Sequence, residues 1–249
     1  DKTCTSCSVG EYREKQNAKL EEEKPRAYAT GGAGPEDLTQ VKLILVSDIS
    51  GHYESLIGHP FVDIANEKGE RNKKGLLNPH NAGGFIRMAL ELMYELDTYN
   101  EVWATNALKC DPGAKKPLFN TQTKPCVMRW LQNEFTYLDE YCPTAPILIA
   151  GGTAFEAIKL IYPVEAKLLN ERKLNGCRRR TDITLGRHPA VFTLNPARAA
   201  RCEAKIETEV QYRKGRLHIK KNDWLYPPLP GTPLYSYIED LKFLAPYLT

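Results

Sequence analysis

Two cysteines stand close together in CTSC, as Cys4 and Cys7, while Cys110 closes the segment TNALKC and Cys126 follows it. Four thiolates, two local and two from the middle of the chain, satisfy either a zinc ion or an iron–sulfur cluster. CxxC alone fits a redox pair equally well. The remaining three, Cys142, Cys177 and Cys202, read as plain apolar or surface residues. Seven cysteines with no secretory signal argue for a reducing compartment and against a disulfide framework, so a cytoplasmic location is expected.

A second chemical feature lies in ILVSDISGHYESLIGHPFV, residues 44–62. A buried apolar run that stops at Asp48 and turns at a glycine presents that carboxylate to something, although Asp at a strand end also caps turns. The later half of the chain gathers bases, among them Arg178, Arg179, Arg180, Arg187 and Arg198. They could neutralise phosphates. A net charge of +3 does not by itself require a nucleic acid, and a solvated surface explains the same residues.

These groups need a scaffold, and hydrophobic periodicity supplies one. Apolar runs predict strands over 41–46, 101–105, 146–150 and 191–194. Helical spacing predicts helices over 82–97, around Trp130 and Phe135, and over TAFEAIKLIY. Strands that are apolar throughout and alternate with helices imply a mostly parallel sheet covered on both faces. Ligands then gather outside the carboxyl ends of the strands. Residues 8–40 read as a loosely packed connection, 66–80 as a polar loop, and the tail from 205 as an irregular extension that packs on the domain. No apolar run is long enough for a membrane span, and no internal repeat is visible.

The order CTSC, SDISGHYESLIGHPFV, TNALKCDP, Cys126 and RHPAVFTLNP resembles the uracil-DNA glycosylase superfamily, and within it the iron–sulfur branch. That branch carries an N-terminal CxxC, a GEAPG-like loop followed by GRPFVG, a TNxxKC segment, a further cysteine and a late HP motif. The resemblance spans roughly residues 4–200. It implies a three-layer α/β/α sandwich around a central, mostly parallel four-stranded sheet. The organisation expected is a cysteine-bearing N-terminal segment (1–40), a glycosylase domain (41–204) with a basic insert at 63–81, and a C-terminal extension (205–249).

The resemblance also assigns roles. Asp48 takes the acidic position that positions water or stabilises a cationic sugar, and Glu54 matches a second acid in the same loop. Ile49 and Gly51 complete the loop beside the base. Phe61 matches the aromatic that stacks on an extruded base, and Asn106 the amide that reads its edge. His188 matches the donor to the base oxygen in the transition state. Leu194 falls where many members carry an arginine that probes the duplex, and an apolar wedge can fill the gap left by a flipped base. Arg187, Arg198 and Arg178 to Arg180 would hold phosphates. Cys4, Cys7, Cys110 and Cys126 would carry a structural 4Fe–4S cluster, with zinc the second occupant.

The implied reaction is monofunctional hydrolysis of the N-glycosidic bond of a non-standard pyrimidine, uracil being the family default, to leave an abasic site. The expected partner is DNA, with no membrane and no small-molecule cofactor in the reaction, and the expected state is a monomer. Two departures point away from plain uracil. GEAPG is here SDISG, and the basic insert separates PFV from Ala82-Gly83. A bulky modified cytosine in phage DNA, removed in defence, is therefore the alternative substrate. A catalytically inactive DNA sensor is the alternative of another class.

Overall fold

A computed structural model of the chain describes residues 4–5, 7–19, 29–61, 82–112, 121–170, 173–178, 180, 182–197 and 233–248. The insert 63–81, Arg179, Arg198 and Cys202 lie outside the described residues. The sheet is built from β1 (Leu43–Ile49), β2 (Val102–Leu108), β3 (Ile147–Ala150), β4 (Thr184–Leu185) and β5 (His188–Thr193), in the order β2-β1-β3-β5-β4. β2, β1, β3 and β5 are parallel, and β4 runs antiparallel to β5. Among the described residues the sheet thus has five strands rather than the expected four. The extra one is two residues long and returns through a turn at Gly186, whose φ of 59° suits a glycine.

Side chains alternate across the strands, and each face has its own core. Ile44, Val46, Ile147, Ile149 and Phe192 point to one face. There they meet Val127 and Leu131 of a π-helical segment (Val127–Leu131), the helices α5 (Gln132–Tyr141) and α6 (Gly152–Ile161), and smaller α7 (Ala166–Asn170) and α8 (Lys173–Cys177). A short α4 (Lys124–Cys126) leads into the π segment. Leu43, Leu45, Leu148 and Val191 point to the other face. They pack on Phe85, Ile86 and Leu90 of α3 (Ala82–Tyr94) and on Tyr237 and Leu241 of α9 (Pro233–Leu241). A short α10 (Ala245–Leu248) follows. Each of these fully buried side chains contributes about 1.5–3 kcal/mol, and the Phe85 and Tyr237 rings meet edge-on at 5.2 Å.

Three segments differ from the sequence expectation. Residues 8–17 form a helix, α1 (Ser8–Asn17), which has no apolar stripe and is anchored by buried Val9 and Arg13. Residues 29–34 lie along the outer edge of β2, where Ala33 and Ala104 exchange N–H···O bonds of 2.9 and 2.7 Å. The described part of the C-terminal extension is helical rather than irregular.

Candidate functional site

Register fixes which residues share the carboxyl edge of the sheet. Ser47 is level with Asn106 on β2 and Ala150 on β3, and Ala150 is level with Thr193 on β5. Asp48, Asn106 and the residues just after Thr193 therefore meet at one edge. Among the donors that hold Asp48 there, the Ala154 N–H in the first turn of α6 gives Oδ1 a bond of 2.9 Å, and Asn195 Nδ2 gives Oδ2 another of 2.9 Å. Asn195 Oδ1 accepts from the Ala197 N–H at 2.9 Å, which turns the amide nitrogen towards Asp48. Gly151 makes room for the acid. Its φ is 114°, and a Cβ there would lie 2.2 Å from Asp48 Oδ2. A cleft of about 310 Å³ opens alongside, lined by Gly151, Gly152, Leu194 and Asn195 and by Lys173 and Asn175 of α8. Leu194 is half-buried against the α3 face, and Ile49 against the opposite one.

The turn after β1 is organised by one carboxylate. Glu54 lies on α2 (His52–Ile57), whose N-cap is Gly51. Its Oε2 accepts from the Gly51 N–H at 2.5 Å and from Asn106 Nδ2 at 3.3 Å, and its Oε1 accepts from the Phe61 N–H. Burial raises the Glu54 pKa above its ordinary value, and the donors at Gly51, Phe61 and Asn106 partly offset that rise. Phe61 is buried and adopts a left-handed backbone, φ 52°, a conformation costly for a bulky residue. Both its flanking peptide groups are tied: Glu54 takes the N–H, and the buried Arg87 gives Nε to the carbonyl at 2.9 Å. Arg87 is steadied in turn by the Thr98 carbonyl at 2.6 Å and by the Tyr99 ring, 4.1 Å from its guanidinium carbon. Asn106, 2% exposed, is thereby given one amide orientation, with Nδ2 towards Glu54.

His188 is not part of this edge. The strand begins at the His-Pro pair instead of after it, so His188 sits at the amino end of β5, five residues from Thr193 and so about 16 Å from the carboxyl edge. Its ring is fully buried and committed at both nitrogens, Nδ1 to the Ala145 carbonyl and Nε2 to Asp139 Oδ1, each at 2.8 Å. Tyr162 also donates to Asp139, at 2.8 Å. The donor role expected of His188 therefore falls away; the side chain that does reach Asp48 from this strand is Asn195. In the sequence Asn195 was hidden in LNP, which reads as ordinary turn chemistry.

The described arginines are also spoken for. Arg187 donates to the Asp139 carbonyl beside His188, away from the cleft. Arg180 is paired with its neighbour Asp182. Arg178 is mostly buried, bonds Asp240 Oδ2 at 2.7 Å and reaches the Ser236 carbonyl. Asp240 also accepts from the Thr193 hydroxyl at 3.0 Å. Arg178 thus fastens α9 to the sheet instead of facing a phosphate.

The four cysteines collect at a separate place, all buried, where α1, the end of β2 and α4 meet. Two of the sulfurs have a side-chain N–H donor. Trp130 Nε1 reaches Cys4 Sγ and Arg13 Nη1 reaches Cys110 Sγ, both at 3.3 Å. Cys7 is the N-cap of α1. Cys7 and Cys126 also share a hydrogen bond, which lowers the Cys7 pKa and raises that of Cys126. Burial pushes Cys110 up to about 12. Among the described residues, no group of three His, Cys, Asp or Glu is arranged so that it could hold a metal ion. The donor set nevertheless fits a thiolate-bound group, because neutral thiols are weak acceptors whereas metal-bound sulfur is anionic. Cys142 and Cys177 are buried elsewhere in the core.

No protein-family model matches the chain, and no curated protein matches it. Among the described residues, no helix is long and apolar enough to cross a membrane.

Proposed function

We propose that this chain is a monofunctional DNA glycosylase of the uracil-DNA glycosylase type, acting on a non-standard pyrimidine flipped out of DNA. One observation carries the reading. At the carboxyl edge of a parallel sheet, an acid, Asp48, is fixed by α6 and Asn195, and in the turn that follows it Glu54 holds an oriented amide, Asn106, and a backbone-anchored aromatic, Phe61. Hydrolysis forms a bond from water oxygen to the sugar C1′ and breaks the bond from C1′ to the base nitrogen. The bonding pair leaves with the base, and the water proton ends on the base. The sugar passes through an oxocarbenium-like state, which the Asp48 carboxylate stabilises. Asn106 reads the base edge, and Phe61 gives the base an aromatic wall. Asn195 supplies the donor to the departing base that the resemblance assigned to His188; its amide carries a second N–H besides the one given to Asp48.

The four cysteines would hold a 4Fe–4S cluster, which when bound braces the N-terminal segment against the sheet and takes no part in hydrolysis. The sequence of the insert after Phe61 favours a second substrate, a bulky modified cytosine. Incubation with DNA containing uracil and, separately, with T-even-type modified DNA decides between them. Alkali-labile sites are expected in one. Their absence from both, with DNA binding retained, would leave the inactive sensor.

A further inference from the structure

Two side chains at the cysteines have no part in glycosidic chemistry. Arg13 is the more unusual, since its guanidinium side chain is only 1% exposed. Nη1 points at Cys110 Sγ at 3.3 Å, and Nη2 bonds the Cys4 carbonyl at 2.9 Å and Glu14 Oε1 at 2.6 Å. Burying a cation is costly unless its charge is answered. Glu14 answers one side of the fork, from a partly solvated position. The other side faces sulfur, and a neutral thiol would accept weakly. The arrangement is favourable when that sulfur is an anionic ligand.

Trp130 is the second donor, with Nε1 3.3 Å from Cys4 Sγ. It lies four residues after Cys126, inside the π-helical segment. That places Trp130 and Cys126 one turn apart on the same side of the helix, and such widened turns recur at functional sites. One donor therefore serves a ligand from the sheet, and the other a ligand from the N-terminal segment. Neither is needed to bring a cysteine into position by covalent geometry, but both place positive charge density on sulfur.

We infer that Arg13 and Trp130 set the reduction potential of the bound cluster. The inference rests on the cluster assignment in the proposed function. Reduction adds one electron, taken in the experiment from an external mediator, and breaks no bond. The extra negative charge spreads onto the thiolates, where a buried guanidinium and two N–H···S bonds stabilise it and so raise the potential. Arg13 is a positioning residue as well, because it ties the Cys4 carbonyl to Cys110.

The test uses the full chain purified without oxygen. Iron and acid-labile sulfide are measured first, then the midpoint potential by mediated titration followed by electron paramagnetic resonance. Trp130→Phe and Arg13→Lys are expected to keep iron and sulfide and to shift the midpoint negative. A tenfold fall in the reduction equilibrium is expected for each, about 59 mV for one electron. Arg13→Gln, which removes the charge, should shift it further. Loaded variants with the parent's midpoint would overturn the inference, even if they melt earlier, because a purely structural role predicts that result. Should Arg13→Gln fail to load, Trp130→Phe decides alone. A colourless parent protein with stoichiometric zinc would remove the cluster assignment itself, and the inference with it, while leaving the abasic-site assay untouched.

Discussion

Replacing Glu54 with glutamine tests whether one carboxylate organises the site. Three donors converge on it, and a glutamine in the same rotamer can accept at only one end. If its oxygen faces the buried Phe61 N–H, its NH2 group faces the donors of Gly51 and Asn106. Gly51 is exposed and its N–H turns to water at little cost. Asn106 is buried, and leaving its amide unpaired costs about 1–3 kcal/mol. Losing charge assistance at Phe61 adds about 1 kcal/mol. Glu54→Gln should therefore destabilise the fold by about 2–4 kcal/mol. The left-handed Phe61 backbone carries strain of order 1–3 kcal/mol, now opposed by Arg87 and a neutral acceptor in place of the carboxylate. A displacement of Phe61 and Asn106 by about 1 Å lowers the rate on the order of 100-fold. The pH dependence has two signs. Because the folded pKa of Glu54 is raised, its contribution to stability is fully present below the ordinary glutamate value and is lost as pH rises through the raised one. Activity needs the carboxylate, so the single-turnover rate should fall as pH drops through that same pKa, and the acid limb should vanish in Glu54→Gln. Urea unfolding and single-turnover abasic-site formation across a pH series measure both. A variant within about 0.5 kcal/mol of the parent, with an unchanged rate and acid limb, would refute the reasoning.

Asn195→Ala should lower kcat about 10²- to 10³-fold, as expected when one donor to a departing anion is removed, with KM for DNA nearly unchanged in steady-state assays. His188→Ala should do the reverse: it leaves Asp139 and the Ala145 carbonyl short of a buried partner and costs about 2–4 kcal/mol in urea unfolding. Its folded fraction should keep the parent's kcat. Gly151→Ala forces a Cβ onto Asp48 at a backbone conformation open essentially to glycine; thermal melting should show a loss of about 1–3 kcal/mol. Its abasic-site rate should fall along with the displaced carboxylate.

The strands that sequence located best, β1 and β3, are apolar at nearly every position because both faces are covered. Burial alone determines that pattern, so it needs no knowledge of partners. β5 was harder. Its first residues, His188 and Pro189, resemble the end of a loop, yet Pro is tolerated at the start of a strand and the histidine's polarity is satisfied by Asp139 and Ala145, more than forty residues away. Such long-range partners leave no local periodicity. Asn195 escaped notice for the same reason, since what distinguishes it is Asp48, 147 residues earlier. α1 carries no apolar stripe and is held through Cys7 and Arg13, which amphipathicity does not register. Glu54, by contrast, was readable as a candidate from its place in the loop, although its bonds to Phe61 and Asn106 were not.

The strip of chain at 29–34 has a consequence for solubility. β2 lies at the rim of the sheet, where an uncovered row of peptide groups would invite strand addition by another molecule. Ala33 occupies that row at Ala104, and the strip is moored by the Thr30 N–H on the Lys109 carbonyl and the Gly32 N–H on Glu134. Lys109 directly precedes Cys110 in the chain. The seal on the rim and the cysteine nest are therefore joined through one peptide bond. Oxidative damage at the cysteines would loosen the strip and open the rim, so the damaged protein should precipitate instead of persisting as a soluble, inactive form.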